Sequence, residues 1–163
     1  MAQIPEVTFQ TFDKGWGSFS SLDIIQDKRI VIFALPGAFT PICSNLMLPA
    51  YEEAYDEILD QMIDEVYCLS VNDCFVMNAW FDQMGIEKVK SIADGNGEFT
   101  NAMGMSIPKT NRGFGFRSWR YAMVVDNGEI EMTFVEDGRM GNCPSDPYLV
   151  SDPSTVLKYL KSK

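Results

Sequence analysis

Pro36-Gly37-Ala38-Phe39-Thr40-Pro41-Ile42-Cys43 is the stretch on which the reading of this chain turns. The apolar run from Ile30 to Leu35 enters it and predicts a central strand covered on both faces, because it does not alternate. Beyond the stretch, Thr40 is a fitting N-cap and Pro41 a fitting first helical residue, so a helix is predicted to begin there. Cys43 would then lie in a first turn, where unpaired N–H groups and the positive end of the dipole favour a thiolate. In α/β proteins the loop after a central strand lies at the carboxyl edge of the sheet, where ligands bind. Cys43 is therefore a candidate nucleophile; the competing reading is a small buried hydrophobe.

Outward from this stretch, residues 6–12 alternate weakly and predict an edge strand or entry hairpin. A turn is expected at Gly15-Trp16-Gly17-Ser18 and a short helix over Ser21 to Gln26. Ser44 to Met62 reads as helix, with Tyr51, Tyr55, Ile58 and Met62 on one side and acidic residues largely on the other. Pro49 predicts a kink or restart one turn in. Glu65 to Val71 repeats the buried-strand pattern, Asp73 caps a helix that ends at Gly85, and Val89 to Ala93 is a third strand. Asp94-Gly95-Asn96-Gly97 leads into a short helix from Glu98 to Met103. Asn127-Gly128 between two β-rich runs predicts a hairpin, and Asp152-Pro153 opens a last helix through Leu160. This order predicts an α/β fold of thioredoxin-like order, a mixed central sheet flanked by helices, as a single domain over residues 1–163.

Thirteen Lys and Arg stand against 23 Asp and Glu, a net charge of −10 with no basic stripe to overrule it, so no nucleic-acid partner is expected. No apolar run approaches the ~20 residues of a membrane span, and the N-terminus lacks the basic and apolar regions of a secretion signal. A cytoplasmic protein with no membrane partner is the expectation. There is no histidine, which removes Ser-His-Asp and Cys-His nucleophiles and any histidine metal site. Cys43, Cys68, Cys74 and Cys143 include no C-x-x-C pair, so a dithiol reductase motif and a zinc ribbon are both absent. Glu52-Glu53 and Asp56-Glu57 read as a solvated helix face, and Gly113-Phe114-Gly115-Phe116 lacks the helix a dinucleotide fingerprint needs. Neither a metal nor a cofactor is expected.

Energetics set what else Cys43 needs. Lowering a thiol from about 8.5 to about 6 takes ~3.4 kcal/mol. A helix end supplies ~0.3–1 kcal/mol, or up to ~2 in partly buried geometry. A fixed cation must supply the rest, and without histidine that cation is Arg or Lys. Arg120, opening a strand beside Trp119 and Tyr121, is the candidate; the alternative is an edge arginine whose stem covers an aromatic ring.

With these residues in view, the chain resembles the peroxiredoxins, specifically their atypical type-five branch. Pro36 to Cys43 is similar to the peroxidatic loop P-x-x-x-T-x-x-C, and Ser70-Val71-Asn72-Asp73 with Phe75 to Trp80 is similar to the next family block. Arg117 to Val125 looks like the segment carrying the active-site arginine, which falls on Arg120. The likeness runs from about Ile4 to the last helix, and in particular resembles bacterial hybrids that carry a glutaredoxin domain after it. The resemblance implies a thiol peroxidase for hydrogen peroxide and alkyl hydroperoxides. Cys43 would become a sulfenic acid, Thr40 would hydrogen-bond thiolate and peroxide, Arg120 would stabilise developing charge, and Pro36 would shield the sulfur. It also implies a homodimer, with Phe39, Trp80 and Phe114 as interface aromatics, although Trp80 reads more simply as core. One position departs: where the family commonly has histidine, in a block like H-L-P, this chain has Met47-Leu48-Pro49.

Three thiols could resolve the sulfenic acid. Cys143 falls close to the resolving position of some two-cysteine relatives, Cys74 follows a strand end on the expected rim, and Cys68 is mid-strand, ~10 Å below it. The hybrid-like resemblance instead implies an external thiol, glutathione or glutaredoxin, with thioredoxin as the other reductant. A peroxide sensor that relays oxidation to a protein partner is the alternative to a turning-over enzyme.

Overall fold

The computed structural model describes residues 2–163. Its centre is a five-stranded mixed sheet in the order β5-β4-β3-β8-β9. Strand β3 (Arg29–Ala34) is the middle strand, and every residue from Ile30 to Leu35 is at most 1% exposed, the burial expected of an apolar run that does not alternate. It pairs in parallel with β4 (Glu65–Ser70), which pairs in parallel with β5 (Lys90–Ala93). On its other side β3 pairs antiparallel with β8 (Tyr121–Asp126), and Asn127-Gly128 turns β8 into β9 (Glu129–Val135). The antiparallel register sets Ala34 opposite Tyr121, so the ends of β3 and the start of β8 share one edge.

Two further strands, β1 (Thr8–Phe12) and β2 (Trp16–Ser20), form a separate hairpin. The turn expected at Gly15 to Ser18 is displaced: it spans Asp13 to Gly15, where Lys14 takes a positive φ of 64° and Asp13 N–H bonds to the Gly15 carbonyl. Gly17 then pairs with Thr11 inside a strand. A helix α1 (Ser21–Ile25) follows, closed at its start by a capping box between Ser20 and Asp23. A third small sheet, not anticipated from sequence, joins β6 (Ser106–Pro108) to β7 (Phe116–Ser118).

Helices cover both faces of the sheet. A π-helical turn over Cys43–Met47 runs into α2 (Leu48–Leu59); α3 (Cys74–Met84), α4 (Glu98–Ala102) and α5 (Pro153–Lys161) follow. Asp73 caps α3 through Val76 N–H, and Gly85 ends it in the left-handed conformation. One core holds Val31, Phe33, Tyr51, Trp80, Val124 and Leu160, with Phe33 stacked on Tyr51 at 3.9 Å. The other holds Ile30, Ile32, Phe99, Trp119, Met123 and Val125 on the opposite face. Trp80 is fully buried in the first core, so it is core rather than interface. Among the described residues no helix is long and apolar enough to cross a membrane.

Candidate active site

The loop from Leu35 to Pro41 crosses the carboxyl edge of the sheet. It is pinned by Asn72, whose Oδ1 accepts from Ala38 N–H at 3.0 Å and from the Ser70 hydroxyl at 2.6 Å. Phe39 sits at φ 66°, an unusual conformation for a bulky side chain and a local strain of the kind found at functional loops. Gly37 leaves room for Arg117: a Cβ there would lie 2.4 Å from Nη1, the flexible end of that side chain, and would push it aside. That guanidinium donates to the Pro36 carbonyl at 3.1 Å, so Arg117 braces the loop from outside.

Helical residues begin at Pro41, and Thr40 supplies the first helical acceptor, its carbonyl taking Ser44 N–H at 2.9 Å. The Thr40 hydroxyl points backward and donates to the Gly37 carbonyl at 2.7 Å, so it does not cap the helix as expected. The wide turn that follows answers to Pro49, which has no N–H and whose ring would clash with the Asn45 carbonyl in a regular helix. Leu48 N–H instead reaches the Cys43 carbonyl, five residues back, and the helix restarts without a break. Trp80 Nε1 donates to the Ser44 hydroxyl at 2.9 Å and locks this turn onto α3.

Cys43 and Met47 lie on the inner side of that turn, both with no exposed surface. Arg120, 1% exposed, reaches them from the start of β8 and points one nitrogen at both sulfurs: Nη1 lies 3.6 Å from Cys43 Sγ and 3.2 Å from Met47 Sδ. Its other donors are also engaged, Nε with the Pro147 carbonyl at 3.1 Å and Nη2 with Asp146 Oδ1 at 2.6 Å. The Tyr148 ring lies 5.6 Å away. Burial would push the guanidinium down, but the facing Cys43 sulfur and the Asp146 carboxylate outweigh it and hold it above its ordinary value. Arg120 is thus a fixed, fully charged donor rather than an edge arginine. Burial pulls Arg117 below its ordinary value, partly offset by Cys43.

A single carboxylate organises the segment that carries Asp146 and Tyr148. Glu136, 2% exposed, accepts the N–H groups of Leu149, Val150 and Ser151 and the Ser151 hydroxyl. Burial would raise its carboxyl, but these hydrogen bonds prevail and hold it below the usual carboxylate range.

All four cysteines are free and buried. Cys68 packs in the same core as Cys43, and burial pushes its thiol well up, with the Cys43 charge adding to the rise. Cys143 belongs to the core on the other face of the sheet and lies 3.6 Å from the Ser145 hydroxyl. Cys74 opens α3 beside a shallow cleft lined by Phe9, Trp16 and Phe75. The site brings together Cys43, Arg120, Pro36 and Thr40, and adds Met47, Arg117 and Asp146. Among the described residues no group of three or more His, Cys, Asp or Glu could hold a metal.

A buried thiol facing a fixed guanidinium on a helix first turn, at a sheet edge, is built for thiolate chemistry. Residues 2–146 match the Redoxin family. A peroxiredoxin from Rhizobium etli is 49% identical over 98% of this chain and 95% of its own length. The chain belongs to the peroxiredoxin family. The hybrid peroxiredoxin hyPrx5 of Haemophilus influenzae is 46% identical over 97% of this chain and 64% of its own. A solved Plasmodium falciparum antioxidant protein, a 1-Cys peroxiredoxin, superposes with a TM-score of 0.95 at 35% identity, over 99% of both chains. As a peroxiredoxin the chain is a thiol peroxidase of thioredoxin-like fold, taking a peroxide substrate and a thiol reductant.

Proposed function

We propose that this peroxiredoxin reduces hydrogen peroxide and alkyl hydroperoxides at Cys43 and is recycled by an external thiol, glutathione or glutaredoxin, with thioredoxin as the alternative. The observation that carries the assignment is Arg120, buried and holding one nitrogen 3.6 Å from Cys43 Sγ. The thiolate attacks the terminal peroxide oxygen. A sulfur–oxygen bond forms, the O–O bond breaks, and the leaving alkoxide or hydroxide takes a proton to depart as alcohol or water. Arg120 is placed to stabilise the charge spread over sulfur and the two oxygens. The Thr40 hydroxyl keeps free lone pairs and can turn from the Gly37 carbonyl to the peroxide, while Pro36 walls the pocket.

Two observations favour an external thiol. Cys143 packs on the opposite sheet face from Cys43, and Cys68 and Cys74 are buried in strand and helix. The likeness to a 1-Cys peroxiredoxin and to a hybrid peroxiredoxin points the same way. A homodimer fits the half-exposed Phe39 on the peroxidatic loop and is read by analytical ultracentrifugation. The deciding experiment is NADPH-coupled peroxide turnover with each reductant system on wild type and Cys43→Ser. Activity is expected with the glutathione system and lost in the variant; full activity in Cys43→Ser would sink the assignment.

A further inference from the structure

The cleft above the peroxidatic loop has a composition the reaction of hydrogen peroxide does not call for. Its volume is about 250 Å³, and its lining combines apolar Pro36, Pro41, Ile42 and Phe114 with the charged Lys109, Arg112 and Asp146. That is below the ~300–1,000 Å³ of pockets that take drug-sized ligands, so it suits one end of a small molecule. Hydrogen peroxide carries no charge and needs no cationic lining.

Lys109 is the unusual member. It is 5% exposed, yet its ammonium has neither an ion pair nor a hydrogen bond among the described residues, although the other buried charges of the chain are all satisfied. Asp94 accepts from Thr100, Glu136 from Ser151, and Arg120 donates to Asp146. The rest of the side chain is enclosed, so the ammonium meets solvent through the cleft it lines, and that is where an acceptor can enter. Asp146 does not fill the role: its carboxylate pairs with Arg120, and it forms no ion pair with Lys109.

The turn that carries Lys109 is rigid before any ligand arrives. Lys109 N–H bonds to the Gly115 carbonyl, and its own carbonyl accepts from Arg112 and Phe114. Asn142 Oδ1 takes the Thr110 hydroxyl and Asn111 N–H, and Arg112 Nη2 donates to the Pro144 carbonyl at 3.0 Å. The sequence bears the same mark: no Asp or Glu stands between Glu98 and Asp126 in a chain of net charge −10, and Lys109, Arg112, Arg117 and Arg120 all fall in that interval.

We infer that this cleft is an anion-binding vestibule, in which Lys109 anchors a carboxylate carried by an organic reactant of the peroxidase cycle. The inference rests on the assignment of Cys43 as the peroxidatic thiol. Such a carboxylate has two sources, a hydroperoxide with an acidic end or the thiol that resolves the sulfenic acid to a mixed disulfide and water. The apolar lining takes the stem in either case, and Arg112 at the rim assists capture.

The test compares acids with their neutral esters on the full chain. In one arm glutathione and glutathione diethyl ester are reductants with hydrogen peroxide. In the other, linoleic acid hydroperoxide and its methyl ester are substrates with dithiothreitol. The readout is the acid-to-ester ratio of kcat/KM within each variant, which cancels any general effect of a substitution. Wild type should prefer the acid in at least one arm by roughly tenfold, as expected of a charge-assisted contact. Lys109→Met should abolish that preference and Lys109→Arg restore it; the arm that responds names the source. Should Lys109→Met fail to fold, Arg112→Gln on the solvent side must lower the ratio. No acid preference in wild type, or one that Lys109→Met and Arg112→Gln both leave intact, overturns the inference. If hydrogen peroxide turnover with dithiothreitol is normal in that case, the peroxidase assignment stands; if that turnover is itself absent, both fall.

Discussion

Replacing Arg120 with Met removes the cation while keeping most of the side chain's volume, and the consequence can be sized from the geometry. Charges 3.6 Å apart attract by about 4–5 kcal/mol at an effective dielectric of ~20. Asp146 on the far nitrogen takes back part of that field, and a hydrogen bond to a charged group contributes about 1.5–3 kcal/mol. The expected loss is therefore about 2–3 kcal/mol in the transition state for thiolate oxidation, roughly a 30- to 150-fold slower reaction. The assay is the second-order rate of Cys43 oxidation by hydrogen peroxide, followed by stopped-flow tryptophan fluorescence. Arg120→Lys should fall between, since a single ammonium cannot serve Cys43, Asp146 and the Pro147 carbonyl together. A folded Arg120→Met protein reacting within threefold of wild type would refute the reasoning.

Gly37→Ala places a Cβ on Arg117 Nη1 and should displace that guanidinium from the Pro36 carbonyl, costing about one hydrogen bond, ~0.5–1.5 kcal/mol, of stability in a urea melt. Met47→Leu keeps the packing but removes a thioether acceptor from Arg120 Nη1; with Cys43 still in place, the oxidation rate should drop only about two- to fivefold. Glu136→Gln exchanges an acceptor for a donor facing the Leu149, Val150 and Ser151 N–H groups and should cost about 3 kcal/mol. Because the folded carboxyl lies below its unfolded value, wild type should have this stability in full above the ordinary Glu range and lose it as pH falls through the lowered folded value. Urea melts between pH 7 and pH 3 should show that slope flattened in the variant.

What could be read from sequence was what neighbours in sequence decide. The non-alternating run of β3, the Asn127-Gly128 turn and the left-handed Gly85 all state their structure within a few residues. The small β6–β7 sheet is not legible because strands of three residues carry too little pattern, and their pairing depends on a connection more than twice as long as either strand. The sequence predicts one turn across Gly15 and Gly17, whereas only the first has that role; an exposed edge strand tolerates the second.

The same division runs through the site. Cys43 was legible from its helix start, and the need for a cation from the size of a thiolate's deficit, but not what holds that cation. Arg120 is fixed by Met47 from the peroxidatic turn and by Asp146 and Pro147 from a segment more than twenty residues downstream, itself pinned by Glu136. An acid close to a thiolate's partner would be expected to blunt it. The geometry avoids this by giving the two sulfurs one nitrogen of the guanidinium and the carboxylate the other, so the same planar fork that is anchored on one side is presented on the other. Orientation, not proximity alone, decides whether Asp146 helps or hinders Cys43, and orientation is the quantity a linear sequence does not carry.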